Sequence, residues 1–286
     1  MIIWITSYPK SGNTWIRSFL TSLLYNNDKE NAFSNLDRIK QFPGRSLFKN
    51  FVHNFQSIDE VYKNWLNVQS YINLDNKIKF LKTHHANCLV KNYKLFDDIE
   101  SLGAIHIVRD PRNVLTSIKN HLALNDFDEA KKFILSEKEW LGFITSENKT
   151  IEDDDDNKIP TYIGSWKMHY LSWKNQTKNY VLVKYEDLIK DPYKEFFKIS
   201  NYLEKIMNTK FNENEIIKAI KQTSFHNMQD LEKKGFFKEY IKEADNKKIK
   251  FFNLGPKNDW KSCLNDEIVE EINFKFKNEM EELGYL

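Results

Sequence analysis

The stretch Ile5-Thr6-Ser7-Tyr8-Pro9-Lys10-Ser11-Gly12-Asn13-Thr14-Trp15 decides the fold of this chain. An apolar run from Met1 to Ile5 stops at Tyr8-Pro9, and a short loop with a lysine, a serine and a glycine follows. An amphipathic pattern then begins and runs from Trp15 to Tyr25. The order is strand, loop, helix, and the helix start offers unpaired backbone N–H groups and the positive end of a dipole, a place suited to a phosphate. Gly12 lets the backbone approach an anion closely, and Lys10 adds a mobile positive charge. Taken alone, a glycine-containing loop could equally be an ordinary βα turn with its lysine in solvent.

Working outward, three further β-rich runs are Ile78 to Lys82, Ala104 to Val108 and Tyr180 to Tyr185. Helical patterns cover Thr14 to Tyr25, Ile58 to Val68, Pro111 to His121, Trp166 to Thr177 and Tyr193 to Leu203. Alternating β and α segments predict an α/β fold with a parallel central sheet flanked by helices. No linker divides the chain, so one domain over residues 1–286 is expected.

With 286 residues, 21 Phe, 13 Tyr and 7 Trp, the chain can bury a substantial core. A net charge of +2 gives no reason to expect general nucleic-acid binding. Cys88 and Cys263 lie far apart without CxxC spacing, which suggests neither a zinc site nor a disulfide framework. No apolar run reaches the ~18 residues of a membrane span, and no signal peptide is read at the N-terminus, so a cytoplasmic protein is expected. The acidic run Glu152 to Asp156, within the expected loop Ser146 to Pro160, lacks the spacing and glycine of an EF-hand; it reads as a solvated loop, and no metal is expected. Glu232 to Lys250, rich in Lys and Glu, reads as a surface helix or a lid.

The loop lysine precedes the Ser-Gly pair, so the loop departs from the Walker pattern. With Pro9, Lys10, Ser11, Gly12, Thr14 and Trp15 in place, it resembles the phosphosulfate-binding loop of the sulfotransferases that use 3′-phosphoadenosine 5′-phosphosulfate (PAPS) and release 3′-phosphoadenosine 5′-phosphate (PAP). Arg109, at the end of the third run, and Ser117, about two helical turns on, resemble that family's R-x-x-x-x-x-x-x-S element for the 3′-phosphate. Gly255-Pro256-Lys257-Asn258-Asp259-Trp260-Lys261 resembles the late motif R-K-G-x-x-G-D-W-K. Its Arg and Lys positions hold Asn253 and Leu254 here, and Lys257 is the candidate to replace them. Tyr185-Glu186-Asp187, Gly164-Ser165-Trp166 with His169 and Trp173, and Thr223-Ser224-Phe225 with Met228 match further family patterns in order.

The resemblance implies these roles. Ser11, Gly12, Asn13 and Thr14 would hold the 5′-phosphate. Trp15, Tyr185, Thr223 and Phe225 would surround the adenine, with Gly255 and Lys257 near the 3′-phosphate. Lys82-Thr83-His84 resembles the family's K-T-H, whose histidine is the general base, so His84 is the expected base. Its neighbour His85 is the rival, since consecutive residues of an extended segment point to opposite sides. Lys10 would stabilise the leaving group and Lys82 would contact the sulfuryl oxygens. The implied partner is a small-molecule hydroxyl acceptor: an alcohol, phenol, lipid or sugar. Segments Pro43 to Phe55, the region after His121, and Leu231 to Phe252 are the candidates to wall its pocket, and His169 could line it or be core. The family's dimer motif K-x-x-x-T-V-x-x-x-E is only partly met, because Asn265 and Asp266 replace Thr-Val. Two other readings stay open: a phosphotransferase with a divergent loop, and a nucleotide-binding module without catalysis.

Overall fold

The computed structural model describes residues 1–25, 30–142, 159–239, 241–242 and 248–286. In chain order its elements are β1 (Ile2–Ser7), α1 (Asn13–Tyr25), β2 (Lys40–Gln41), α2 (Arg45–Phe48), α3 (Ile58–Lys63), α4 (Trp65–Asn73), β3 (Lys79–Thr83) and β4 (Ser101–Val108). They continue with α5 (Pro111–His121), α6 (Phe127–Leu135), β5 (Trp140–Leu141), β6 (Thr161–Tyr162), α7 (Trp166–Gln176), β7 (Tyr180–Lys184), α8 (Tyr185–Lys190) and α9 (Pro192–Met207). The last are α10 (Glu213–Gln222), α11 (Phe225–Lys233), β8 (Ile241–Lys242), β9 (Lys248–Ile249), α12 (Asp266–Lys275) and α13 (Lys277–Leu283).

The fold is α/β with a parallel central sheet flanked by helices. The main sheet has five strands in the order β2-β3-β1-β4-β7. Strand β3 lies parallel to β1, with Ile5 beside Lys82 and Thr6 beside Thr83. Every residue of β1 is buried, as expected of an inner parallel strand covered on both faces. The chain forms two compact units: Met1–Tyr8, Ile39–His106 and Ser136–Leu182 make the first, and Pro9–Arg38, Ile107–Leu135 and Val183–Leu286 the second.

In the first unit, Ile2 and Trp4 of β1, Leu81 of β3 and Ala104 of β4 join Tyr62, Trp65 and Val68 of α3 and α4 and Trp173 of α7 in one apolar core. Phe42 and Phe96 meet the Trp4 ring edge-on at 5.2 and 4.8 Å, a favoured aromatic arrangement. In the second unit, Phe19 of α1 stacks on Phe196 of α9 at 4.1 Å.

Several expected bounds move for local reasons. The helix expected over Ile58 to Val68 breaks at Asn64, whose side-chain amide donates to the carbonyls of Glu60 and Phe51 and so competes with the helix ladder. The strand expected to reach Tyr185 ends at Lys184, and Tyr185 opens α8. Helix α5 starts where Pro111 predicts, because the Asp110 carboxylate accepts from the Arg112 N–H and Pro111 has no N–H to leave unpaired. The described part of Glu232 to Lys250 contains the end of α11 and the antiparallel pair β8–β9. The acidic run Glu152 to Asp156 lies outside the described residues. Among the described residues no helix is long and apolar enough to cross a membrane, and no group of three or more His, Cys, Asp or Glu is placed to hold a metal ion.

Candidate active site

Each unit carries part of the expected machinery. In the first, the parallel register that sets Thr83 beside Thr6 brings the next residue, His84, to Ser7 at the end of β1. The His84 Nδ1–H donates to the Ser7 carbonyl oxygen at 2.7 Å, with Ser7 Oγ 3.4 Å away. A carbonyl can only accept, so the proton is on Nδ1 and Nε2 keeps its lone pair. The ring is partly exposed.

His85 points the other way and is fully buried. Its Nδ1–H donates to the Ala86 carbonyl at 2.6 Å, and its Nε2 lies 2.6 Å from the Tyr62 hydroxyl. Burial pushes its pKa down to about 3, so it stays neutral with both nitrogens engaged. The alternation of a strand end thus separates a partly exposed imidazole from a buried one. Lys82 is partly exposed one residue before Thr83, whose hydroxyl accepts from the His85 N–H. His169 is 1 % exposed and meets the Tyr8 ring edge-on at 5.7 Å. Burial, followed by the neighbouring His106, His84 and His85, holds its pKa well below the usual imidazole range.

In the second unit the loop from Pro9 leads into α1. Lys10 and Gly12 both have positive φ, +66° and +106°. A Cβ on Gly12 would stand 2.7 Å from Cδ2 of the Tyr185 ring, so both the backbone angle and the aromatic neighbour require glycine here. The first turn closes by Trp15 N–H donating to the Gly12 carbonyl at 3.0 Å. The Ser11 hydroxyl is buried and has no hydrogen-bond partner among the described residues. A buried donor left unpaired beside a helix N-terminus suits an anionic oxygen, which is the group the resemblance expects to be held there. The Trp15 indole N–H is likewise buried without a partner, and its ring meets Tyr185 at 6.0 Å.

Arg109 stands at the junction of the loop and α5. Its guanidinium donates to the Lys10 carbonyl at 3.0 Å and lies over the Tyr185 ring at 4.3 Å. Behind it, the Glu186 carboxylate accepts from the Asp110 N–H at 3.0 Å and the Tyr285 hydroxyl at 2.9 Å. Asp110 pairs with Arg112 at 2.7 Å, and Arg112 also donates to the Tyr285 carbonyl. Burial raises the pKa of Glu186. Sequence reasoning gave these polar partners no role, because, apart from Asp110 and Arg112, the residues that meet are about 75 to 175 positions apart.

The late loop docks on α5. The Asn258 amide donates to Thr116 Oγ1 at 2.9 Å and to the Asn113 carbonyl at 3.1 Å, and the Trp260 N–H donates to Asn113 Oδ1 at 3.0 Å. These bonds set the loop beside the helix position next to Ser117. Gly255, at φ +51°, lies so close to the Phe225 ring that a Cβ would overlap it. Lys257 is exposed. The Thr223 hydroxyl is buried and donates to the Ala219 carbonyl at 2.8 Å, one turn back on α10.

Residues 2–284 match the family model of the sulfotransferase domain. The chain is 26% identical over 235 residues to luciferin sulfotransferase of Photinus pyralis; the match covers 79% of this chain and 56% of that protein. It is 24% identical over 284 residues to sulfotransferase 1B1 of Canis lupus familiaris, covering 96% of this chain and 82% of the relative. Among solved structures, mouse sulfotransferase SULT7A1 complexed with PAP superposes with a TM-score of 0.57 at 19% identity, covering 98% of this chain and 84% of that one.

Proposed function

The chain belongs to the sulfotransferase family, and from that premise we propose that it moves a sulfuryl group from PAPS to a hydroxyl of a small-molecule acceptor, with His84 as general base. The observation that carries this reading is the His84–Ser7 hydrogen bond. A strand-end imidazole with Nδ1 tied to a backbone carbonyl presents Nε2 as a proton acceptor, and binding a nucleotide needs no such base. The bound donor supplies the sulfuryl group and a good leaving group.

The chain's own residues do the rest. His84 Nε2 takes the proton of the acceptor hydroxyl. The N–H groups at the start of α1 and the Ser11 hydroxyl hold anionic oxygens, as Thr14 and Asn13 would beside them. Lys10 balances charge on the leaving oxygen, and Lys82 serves the sulfuryl oxygens. Arg109 forks across a phosphate while stacked on Tyr185. Ser117, Gly255 and Lys257 complete the 3′-phosphate site, with Lys257 standing in for the cations replaced by Asn253 and Leu254. Trp15, Tyr185, Thr223 and Phe225 frame the adenine. No step in this scheme calls for a metal ion, because the cations and the helix N-terminus neutralise the developing charge. The relatives' printed names include a luciferin sulfotransferase and an amine sulfotransferase, which supports a small-molecule acceptor.

The test is calorimetric titration with PAP in the absence of metal, against ATP as control. Micromolar or tighter binding of PAP with much weaker ATP supports the donor assignment. Equal affinities, or a preference for ATP with Mg²⁺, overturn it in favour of a phosphotransferase. PAP binding with no sulfuryl transfer across a panel of alcohols, phenols, lipids and sugars points to a silent binding module.

A further inference from the structure

Lys10 is held in a setting that works against its own charge. It is partly buried in the second unit, and burial together with the Arg109 guanidinium lowers its pKa to about 7, while the Glu232 carboxylate pulls the other way. A lysine that holds anionic oxygens has to be protonated to do so. Its surroundings are Arg109 from the end of β4, Glu232 from α11, the Phe251 ring after β9, and His121 from the end of α5. The Lys10 ammonium lies 4.0 Å from the Phe251 ring centroid and 3.3 Å from His121 Nδ1. The His121 ring meets Phe251 edge-on at 6.0 Å. His121 is also four positions after Ser117, so the two share one face of α5.

We propose that His121 is a positioning residue for Lys10: its Nδ1 accepts a hydrogen bond from the Lys10 ammonium and keeps the lysine charged and aimed until an anion replaces that contact. The inference rests on the reading of this loop as a donor site. In this arrangement the His121 proton resides on Nε2. A hydrogen bond to the charged form favours that form, so His121 opposes the effect of burial and Arg109. The Phe251 face adds a cation–π contact in the same sense.

The experiment compares wild type, His121→Ala and His121→Gln, each as the full chain. The Lys10 titration is followed by NMR of its labelled side chain, and PAP affinity is measured by calorimetry at about pH 6 and about pH 8. In His121→Ala the Lys10 titration moves down by about one pH unit, the size of a charge-assisted hydrogen bond. PAP then binds about tenfold more weakly at the higher pH and within about twofold of wild type at the lower one, where the lysine is still about half charged in the variant. His121→Gln, which keeps a side-chain carbonyl acceptor, shifts less. An unchanged or raised Lys10 titration in His121→Ala overturns the proposal, as does an affinity loss equal at both pH values. If His121→Ala does not fold, His121→Leu, which fills the space without offering an acceptor, decides by the same readings. Failure of the donor reading is separate: the wild type then does not bind PAP, while its Lys10 titration still reports on His121.

Discussion

The Nδ1–H of His84 donates to the carbonyl oxygen of Ser7 across the β1–β3 register, at 2.7 Å. One backbone atom therefore sets both the tautomer and the ring orientation of the expected base. Since the partner is a backbone oxygen, no side-chain substitution at position 7 removes it. Replacing His84 itself is the direct test. His84→Ala should lower kcat by about 10²–10⁴ and leave PAP affinity within about twofold, because a general base contributes to the transfer step and little to nucleotide binding. Turnover kinetics beside calorimetry check this; retained turnover would assign the base elsewhere.

His85→Ala should act in the opposite way. The substitution leaves the buried Tyr62 hydroxyl and Ala86 carbonyl without the imidazole and opens space against Trp65, whose ring lies 4.9 Å away. A loss of about 2–4 kcal/mol in stability is expected, read by urea unfolding. Variant that remains folded should keep its nucleotide affinity.

Nucleotide binding should depend on pH through Lys10. Its folded-state pKa is lowered to about 7, so the ammonium is present below that pH and is lost above it. Bound phosphate favours the charged form and raises the pKa, so binding above about pH 7 takes up a proton. Affinity for PAP should be flat below about pH 7 and weaken above it by up to about tenfold per pH unit. Calorimetry in buffers of different ionisation heat measures the proton uptake, and Lys10→Met should abolish it.

Gly12→Ala places a methyl against the Tyr185 ring and forces an alanine to φ +106°. The expected cost is about 1–3 kcal/mol of stability, with PAP affinity reduced by more than about tenfold because the loop N–H groups are re-aimed. A thermal melt and a titration of the same preparation give both numbers.

Thr116→Val removes the hydroxyl bonded to Asn258 and loosens the late loop on α5, where the bonds to Asn113 remain. PAP should bind about tenfold more weakly, while an analogue without the 3′-phosphate should lose little. Equal losses for both ligands would remove the loop from the 3′-phosphate site.

The α/β class, the strand–loop–helix order of residues 2–25, and the position of α5 behind Asp110-Pro111 were legible in the sequence, because each rests on local rules. A buried parallel strand reads as an apolar run, proline suits the first turn of a helix, and glycine marks a backbone angle that other residues avoid. The short strands β2, β5 and β6 were not legible, since two-residue strands exist only where a partner lies beside them. The break of α3 at Asn64 depends on a side chain reaching the Phe51 carbonyl, which no periodicity reveals.

By itself the sequence determined that two histidines stand at the end of a strand and that a lysine and a glycine stand before a helix. Which histidine is available was decided by the tertiary structure. His84 is partly exposed and donates from Nδ1 to Ser7, whereas His85 is buried between Tyr62 and Ala86. The lysine's lowered pKa was decided in the same way, by burial and by Arg109 and Glu232, which reach it from distant parts of the chain. Hydrogen-bond partners and burial set proton positions and charge, and both arise from contacts between residues that the order of the chain does not place together.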